Sequence, residues 1–482
     1  MSASKTYWAI ALAAMLCASV PAGAATRYWT GNTSVDNDWL TGGNWTGGIV
    51  PGSSDHARIN AGSSLASPVR IAGAATPYSL KLGEGSADAG YLLLSSGSLA
   101  TATSQDTYVG DAGTGYFKAA GGTFSTRELH VGQQSGSSGT VVVESGATSF
   151  AAGRDTYIGY AGMGSLLASA SISLASSGGG VTLGYDSTGS GTLKLLNSST
   201  NLALGTGKFL KVGVSGTGLF EIRGGTVSSG GVGQAEQIVV RDQSSATGTF
   251  QGYGTFSMGG GIKNNGRIIA DGFAGAASDV TLDLSALDGY GGPSVINSIE
   301  NTTNNGWYAQ NRAKLTLAGL GVAAGNSSVN WGEQNQYGDG SVYADDATID
   351  LVNSVHATFA GVSSAGTLSG SLLASDRSDV AAAPSGITFI GVWELSFNRA
   401  FTSVDLQFRY DDAAAGGNTP KLYHYTGGNW TELNSTVLSG NRIETTGLTS
   451  LSQFAVGVIP EPATAAVLVL GGLGVLLRRR RG

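Results

Sequence analysis

Between residues 61 and 272 one hydrophobic pattern keeps returning. An apolar residue followed by glycine recurs at Leu82-Gly83, Val109-Gly110, Val131-Gly132, Ile158-Gly159, Leu183-Gly184 and Val212-Gly213, with Val240-Arg241 as a degenerate copy. Successive glycines lie 27, 22, 27, 25 and 29 residues apart, a spacing within the range of stacked structural repeats. Each step leads into a turn of small residues, such as DAGTG, YAGMG or VSGTG, and then into a run of roughly alternating apolar and polar residues, as in TVVVE (140–144) and LFEIR (219–223). Alternation sends every second side chain to one face of a strand, while glycine takes the positive φ of a tight corner. One such unit cannot bury its apolar face alone, but stacked units can. The pattern therefore predicts an all-β chain built on a parallel β-solenoid, a right-handed β-helix with about one coil per repeat. A stack of antiparallel hairpins fits the same alternation, and weak identity between copies leaves the strand pairing open.

After Gly272 the glycine corners thin out. Residues 280–284 (VTLDL), 314–317 (KLTL), 348–352 (TIDLV), 404–408 (VDLQF) and 421–425 (KLYHY) read as strands, and tryptophan, absent between Trp45 and Trp307, returns at Trp307, Trp331, Trp393 and Trp430. A second β-rich region, sandwich-like, is expected over residues 273–457.

The ends of the chain are different again. Residues 1–24 read as a secretory signal, with Lys5 at the charged end, an apolar run from Trp8 to about Val20, and Ala22-Gly23-Ala24 as a small-residue cleavage site. Residues 25–60 carry Trp29, Trp39 and Trp45, three indoles that can seal the first coil of a solenoid or, alternatively, stack on sugar. This segment resembles the opening of many secreted, repeat-rich bacterial passenger proteins of the autotransporter kind, where a similar Trp-rich pattern precedes a β-solenoid; capping is the expected role, because a solenoid end needs covering.

Residues 458–482 hold three blocks in order: Pro460, Glu461 and Pro462; an apolar run over 463–477 with only Thr464 polar; and Arg478, Arg479, Arg480 and Arg481. The run of 15 residues spans about 22 Å as a helix, short for a bilayer, but arginines can snorkel to the headgroups. Basic clusters resist translocation, so the body is expected outside the cytoplasm. The block order resembles the PEP-CTERM sorting signal of Gram-negative envelope proteins. That resemblance implies an exosortase partner in the inner membrane that cuts near Pro460, Glu461 and Pro462 after Arg478–481 have stopped transfer. It also implies a surface or extracellular-matrix destination tied to exopolysaccharide and biofilm. A plain, uncut C-terminal anchor is the alternative.

Composition narrows the picture further. The 482 residues include 77 Gly and only 12% charged residues against 41% hydrophobic, which disfavours a self-repelling disordered coil. Nine prolines, and glycines without a period of three, exclude collagen. The formal charge is −7; without Lys5, Glu461 and the four terminal arginines, 21 basic and 32 acidic residues remain, a net of −11. Such a body repels nucleic acid and anionic lipid. The single cysteine, Cys17, lies in the leader, and the residues before it, Ala14 and Leu16, do not match a lipoprotein signal. The mature body thus has no thiol for a disulfide or a metal.

The search for chemistry yields candidates rather than a centre. Lyases and hydrolases on solenoids need converging carboxylates and bases, whereas Asp111, Glu144, Asp155, Asp186 and Glu221 occur mostly at different repeat phases. His56, His130, His356 and His424 are isolated, without a zinc-ligand spacing. Asn335, Asp339, Gly340 and Asp346 match part of a calcium loop, but Tyr337 stands where an oxygen ligand belongs. No catalytic residue, cofactor or metal is therefore assigned. The remaining candidate is a carbohydrate contact built from Asp411, Asp412, Tyr423, Tyr425 and Trp430, since aromatic faces stack on sugars and carboxylates accept hydroxyl hydrogen bonds. The expected function is a non-enzymatic exported surface or matrix protein. The alternatives are a polysaccharide-binding adhesin and a polysaccharide lyase or hydrolase.

Overall fold

A computed structural model describes residues 24–31, 36–230, 236–287, 295–296, 305–332 and 351–460. The leader before residue 24, the calcium-loop match at 335–346, and the sorting segment from Glu461 onward lie outside the described residues. The chain is all-β, with about 3% helix and a β-solenoid of about ten turns. Among the described residues no helix is long and apolar enough to cross a membrane. The chain divides into two compact units, with the division falling between Glu221 and Thr249.

In the first unit most coils lay down three strands, and strands at the same place in successive coils pair in parallel. On the first face, Leu129–Val131 lies between Thr107–Val109 and Thr156–Ile158. On the second, Ser138–Val143 lies between Thr114–Ala119 and Met163–Ala168. On the third, Gly122–Thr126 lies between Ser98–Ala100 and Ala147–Ala152. Parallel pairing excludes the hairpin alternative. Register stacks like on like: Leu82, Val109, Val131, Ile158, Leu183 and Val212 form one inward column, all fully buried. Phe117, Phe124 and Phe150 fill the interior, with ring centroids 4.7 to 6.1 Å apart.

The recurring glycines stand at the corner after the first face. Gly159, at φ 69°, faces the next coil so closely that a Cβ would lie 2.2 Å from the Ser190 carbonyl oxygen. Arg241 takes this corner in the degenerate copy at φ 62°, and its N–H donates to Val212 O at 2.8 Å, as the Gly213 N–H does to Leu183 O. A second glycine column, Gly115, Gly139, Gly164, Gly191 and Gly218, begins the next strands. Its backbone runs equally tight: a Cβ on Gly164 would lie 2.2 Å from both Gly159 N and Val131 O.

Between these two columns the turns alternate in length, a regularity that counting coil lengths alone does not expose. Gly83 to Gly90, Gly132 to Gly139 and Gly184 to Gly191 are each two residues longer than Gly110 to Gly115, Gly159 to Gly164 and Gly213 to Gly218. Each short turn nests on the long turn of the coil before it. A Cβ on Gly162 would strike the carbonyls of Gln134 and Ser137, and one on Gly216 those of Asp186 and Gly189.

The first coil is closed by the tryptophan segment. Thr26–Tyr28 pairs in parallel with His56–Ile59, and Trp29, Trp39 and Trp45 are buried edge to face, with centroids 5.3 and 4.7 Å apart. Trp45 Nε1 donates to Trp39 O at 2.8 Å. Buried indoles offer no free face to a sugar.

The second unit opens with the same parallel habit. Arg267–Asp271 pairs with Gly306–Gln310, and Val280–Leu284 with Ala313–Leu317, all in parallel. Parallel pairing thus runs past Gly272, where the sequence pattern placed the change. Corners in this part are turned by Phe273, Asn311 and Arg312 at positive φ, which a search for glycine steps passes over. Antiparallel pairing begins where Ala313–Leu317 meets Gly366–Leu373. One sheet continues through Thr388–Phe397, Gln453–Val458, Lys421–Thr426 and Asn429–Glu432. A separate antiparallel sheet joins Gly325–Trp331, Val355–Val362, Ser403–Arg409, Arg442–Leu448 and Thr436–Leu438. Aromatic side chains meet between the two, with Trp393 to Phe408 at 4.9 Å, Phe359 to Phe397 at 4.8 Å and Phe408 to Phe454 at 5.6 Å.

Candidate functional site

The sheet that carries Thr388–Phe397 shows two kinds of outer face. Inward, alternate residues Trp393 and Leu395 join the aromatic core. Outward, one half is covered: Leu373, Val380, Phe389, Val392, Tyr423 and Ala455 form a small cluster, with Ala383, Ile387 and Trp430 packed against it. The other half is open. There, register lines up Thr316, Ser371, Glu394, Gln453 and Tyr425 as a single cross-strand row, because residues opposite one another in a sheet project to the same side.

From this row Ser371, Glu394, Gln453 and Tyr425 line a groove of about 480 Å³, together with Lys314, Ser369, Ser396 and Ser452. Lys314 Nζ lies 2.7 Å from Glu394 Oε2 across the strands. Thr316 and Ser371 hydroxyls are 3.4 Å apart, and Ser452 Oγ donates to Tyr425 O at 2.6 Å while contacting His424 Nε2 at 2.9 Å. Gln453 Nε2 donates to Asp379 O at 3.0 Å, but its buried Oε1 has no hydrogen-bond partner. The groove offers hydroxyls, one amide, one ring and a paired charge, which is the chemistry of a polyhydroxylated ligand. It supplies one carboxylate, already held by a lysine, whereas glycoside cleavage uses two flanking carboxyl groups.

The five residues singled out from the sequence are dispersed among different tasks. Tyr425 lines the groove and lies 5.2 Å from Trp430. Trp430 stands edge-on to Phe389 at 4.9 Å and donates to Ala381 O at 3.0 Å. Tyr423 is buried in the neighbouring cluster, where burial raises its pKa. Asp411 instead caps a single-turn helix, Asp412–Ala415, accepting from Ala413 N and Ala414 N, and Gly416 ends that helix in the left-handed region. Asp412 sits exposed in its first turn. Asp411 followed by Asp412-Ala-Ala-Ala-Gly is a cap, helix and stop, a local role that the sugar-contact reading overlooked.

The other singled-out groups have partners. Asp111 is held by Lys81 at 2.7 Å, Glu144 by Lys118 at 2.7 Å and Glu221 by Lys194 at 2.9 Å, while Asp155 accepts from Gly180 N at 3.0 Å. Asp186 caps its own turn through Ser187 N. Burial lowers the pKa of His56, His356 and His424. His424 lies flat on Phe454 at 4.3 Å.

His130, by contrast, is not isolated. It stands beside Asp106 and Glu128, one ligand-type atom from each lying within 4.8 Å of the others. Asp106, Glu128 and Asp155 each precede a corner glycine by four residues, and Tyr108, His130 and Tyr157 by two. Numbering from the corner would have exposed these columns; surveying acidic residues by their spread along the chain did not. No protein-family model, curated protein or solved structure matches this chain.

Proposed function

We propose that this is an exported, non-enzymatic protein of the cell surface or extracellular matrix of a Gram-negative bacterium. In this reading the C-terminal segment passes transiently through the inner membrane as a short helix, and an exosortase cuts it near Pro460, Glu461 and Pro462. The observation that carries it is the order of the terminal blocks: a secretory leader at one end, and the Pro-Glu-Pro triplet, apolar run and Arg478–481 at the other. Ile459 and Pro460 are exposed directly after Gln453–Val458, which suits access by a processing enzyme. Proline lacks a backbone N–H and restrains its predecessor, so the triplet favours an extended, cleavable form. The repetitive body is then a right-handed solenoid, and the two antiparallel sheets form a sandwich. Mass spectrometry of the extracellular form tests it. Loss of peptides containing Arg478–481, and retention of full-length protein in the membrane when Pro460, Glu461 and Pro462 become Ala, are expected. Recovery of those arginine peptides from the surface form would leave the plain anchor.

A second reading, association with exopolysaccharide, is favoured by the row Thr316, Ser371, Glu394, Gln453 and Tyr425. Affinity electrophoresis in a panel of exopolysaccharides should show retardation that Tyr425→Ala and Glu394→Gln reduce. Release of reducing or unsaturated ends during the same incubation would point to a lyase or hydrolase instead.

A further inference from the structure

On the first face of the first unit, three side chains from two successive coils converge. Asp106 comes from one coil and Glu128 and His130 from the next, and each is largely buried. His130 is only 7% exposed. Its ring is held on both faces, by Tyr108 at 4.6 Å and 16° and by Tyr157 at 5.2 Å and 27°. Its Nδ1 lies 2.7 Å from Gln133 Oε1, and a proton shared in that bond puts the free lone pair on Nε2. Nε2 is buried, has no hydrogen-bond partner, and lies 3.4 Å from Glu128 Oε2. Thus the imidazole is oriented by three neighbours and points its one unused atom at Glu128, with Asp106 in the same cluster.

We propose that Asp106, Glu128 and His130 form a binding site for a borderline divalent transition ion of the Zn²⁺ type. An imidazole lone pair whose opposite nitrogen donates to an amide oxygen is the usual arrangement of a metal-bound histidine. One nitrogen and two carboxylate donors suit zinc, whereas calcium and magnesium prefer all-oxygen sets. Ligand bonds of about 2.1 Å require the three atoms to draw in slightly from their present spacing, a change that side-chain torsions provide. Arg127 holds Asp106 through two bonds of 2.8 Å and lies 3.5 Å from Glu128. A carboxylate offers about four lone-pair positions, so Asp106 can bind an ion while Arg127 stays. The ion would stitch adjacent coils together at this face, beside the Arg127–Asp106 ion pair that already links them.

The test uses the purified full chain without a histidine tag, stripped with a chelator and titrated with ZnCl₂ by calorimetry. One equivalent should bind, and thermal denaturation should shift upward with zinc, because a ligand that binds only the folded state stabilises it. His130→Gln and Glu128→Gln should each weaken binding at least tenfold while circular dichroism stays that of the parent. His356→Gln, remote from the cluster in sequence and burying a different ring, should leave binding unchanged. Should His130→Gln fail to fold, Glu128→Gln decides by the same criterion. The assignment is overturned if the parent binds no zinc, if zinc binding is unchanged in a folded variant of the cluster, or if CaCl₂ binds as tightly as ZnCl₂.

Discussion

In the first unit the backbone sets the limits, and in the second the side chains do. A coil of the first unit turns at a glycine whose missing Cβ lets the next coil approach. Its interior accepts Leu, Val, Ile or Phe at equivalent levels, as the columns through Val109, Val131 and Ile158 and through Phe117, Val141 and Leu166 show. In the second unit the fixed points are large rings. Trp307, Trp331 and Trp393 are fully buried, and two of them anchor backbone: Trp307 Nε1 donates to Gly332 O and Trp393 Nε1 to Asn353 O, each at 2.9 Å. Repetition explains the contrast. A coil that stacks on a copy of itself needs a uniform corner more than a particular side chain, whereas two non-repeating sheets are registered by shapes that fit once.

Substitutions at the most sensitive position of each unit should cost the most. Trp393→Ala should destabilise the second unit by about 4 kcal/mol, combining the lost burial and cavity with an unpaired Asn353 carbonyl, as read from urea midpoints. In the first unit the matching liability is a single methyl group: Gly164→Ala should cost about 3 kcal/mol, because the three atoms it meets most closely are all backbone. Gly321→Ala in the second unit, where a Cβ meets nothing within 4 Å, should change stability by less than about 0.5 kcal/mol. A large loss there would remove the distinction.

Arg241 sharpens the corner argument from the opposite direction. A side chain in the left-handed region costs roughly 1–2 kcal/mol, so Arg241→Gly should stabilise by up to about 1 kcal/mol once the side chain's own bonds are lost. Thermal melting would show a higher midpoint.

Acidification should weaken the second unit. His356 and His424 both titrate below the ordinary histidine value of 6.5 because they are buried. The unfolded chain therefore takes up protons first, and stability present above pH 6.5 declines as pH falls toward the lowered folded values. His424→Gln should flatten that decline in a pH series of urea melts. The smallest effect is expected on the outer surface. Lys118 and Glu144 pair at 2.7 Å but are 34% and 43% exposed, so Lys118→Ala should cost no more than about 0.5 kcal/mol, and less in high salt.

Much of the first unit was legible because its constraint is local. Apolar-Gly steps, the alternating strands and even the odd Arg241 corner can be read within one repeat. The place where parallel pairing gives way to antiparallel was not, since Val280–Leu284 looks the same whichever neighbour it takes and the corners beside it use Phe273, Asn311 and Arg312 instead of an apolar-glycine step. The groove was legible only in Tyr425. Its other members converge through antiparallel register between strands as far apart in sequence as Thr316 and Gln453, and no local pattern encodes such pairings. Trp430 and Tyr423 were singled out for exposed stacking but serve packing, because aromatic residues suit both and burial alone tells them apart.

The alternation of long and short turns gives the solenoid a natural increment. Each short turn seats on the carbonyls of a long one, so an internal duplication or deletion of one coil would set long on long or short on short. Two coils keep the sequence of seats intact. At about 4.8 Å per coil, such a chain lengthens or shortens in steps of about 9.6 Å, and its reach is counted in pairs.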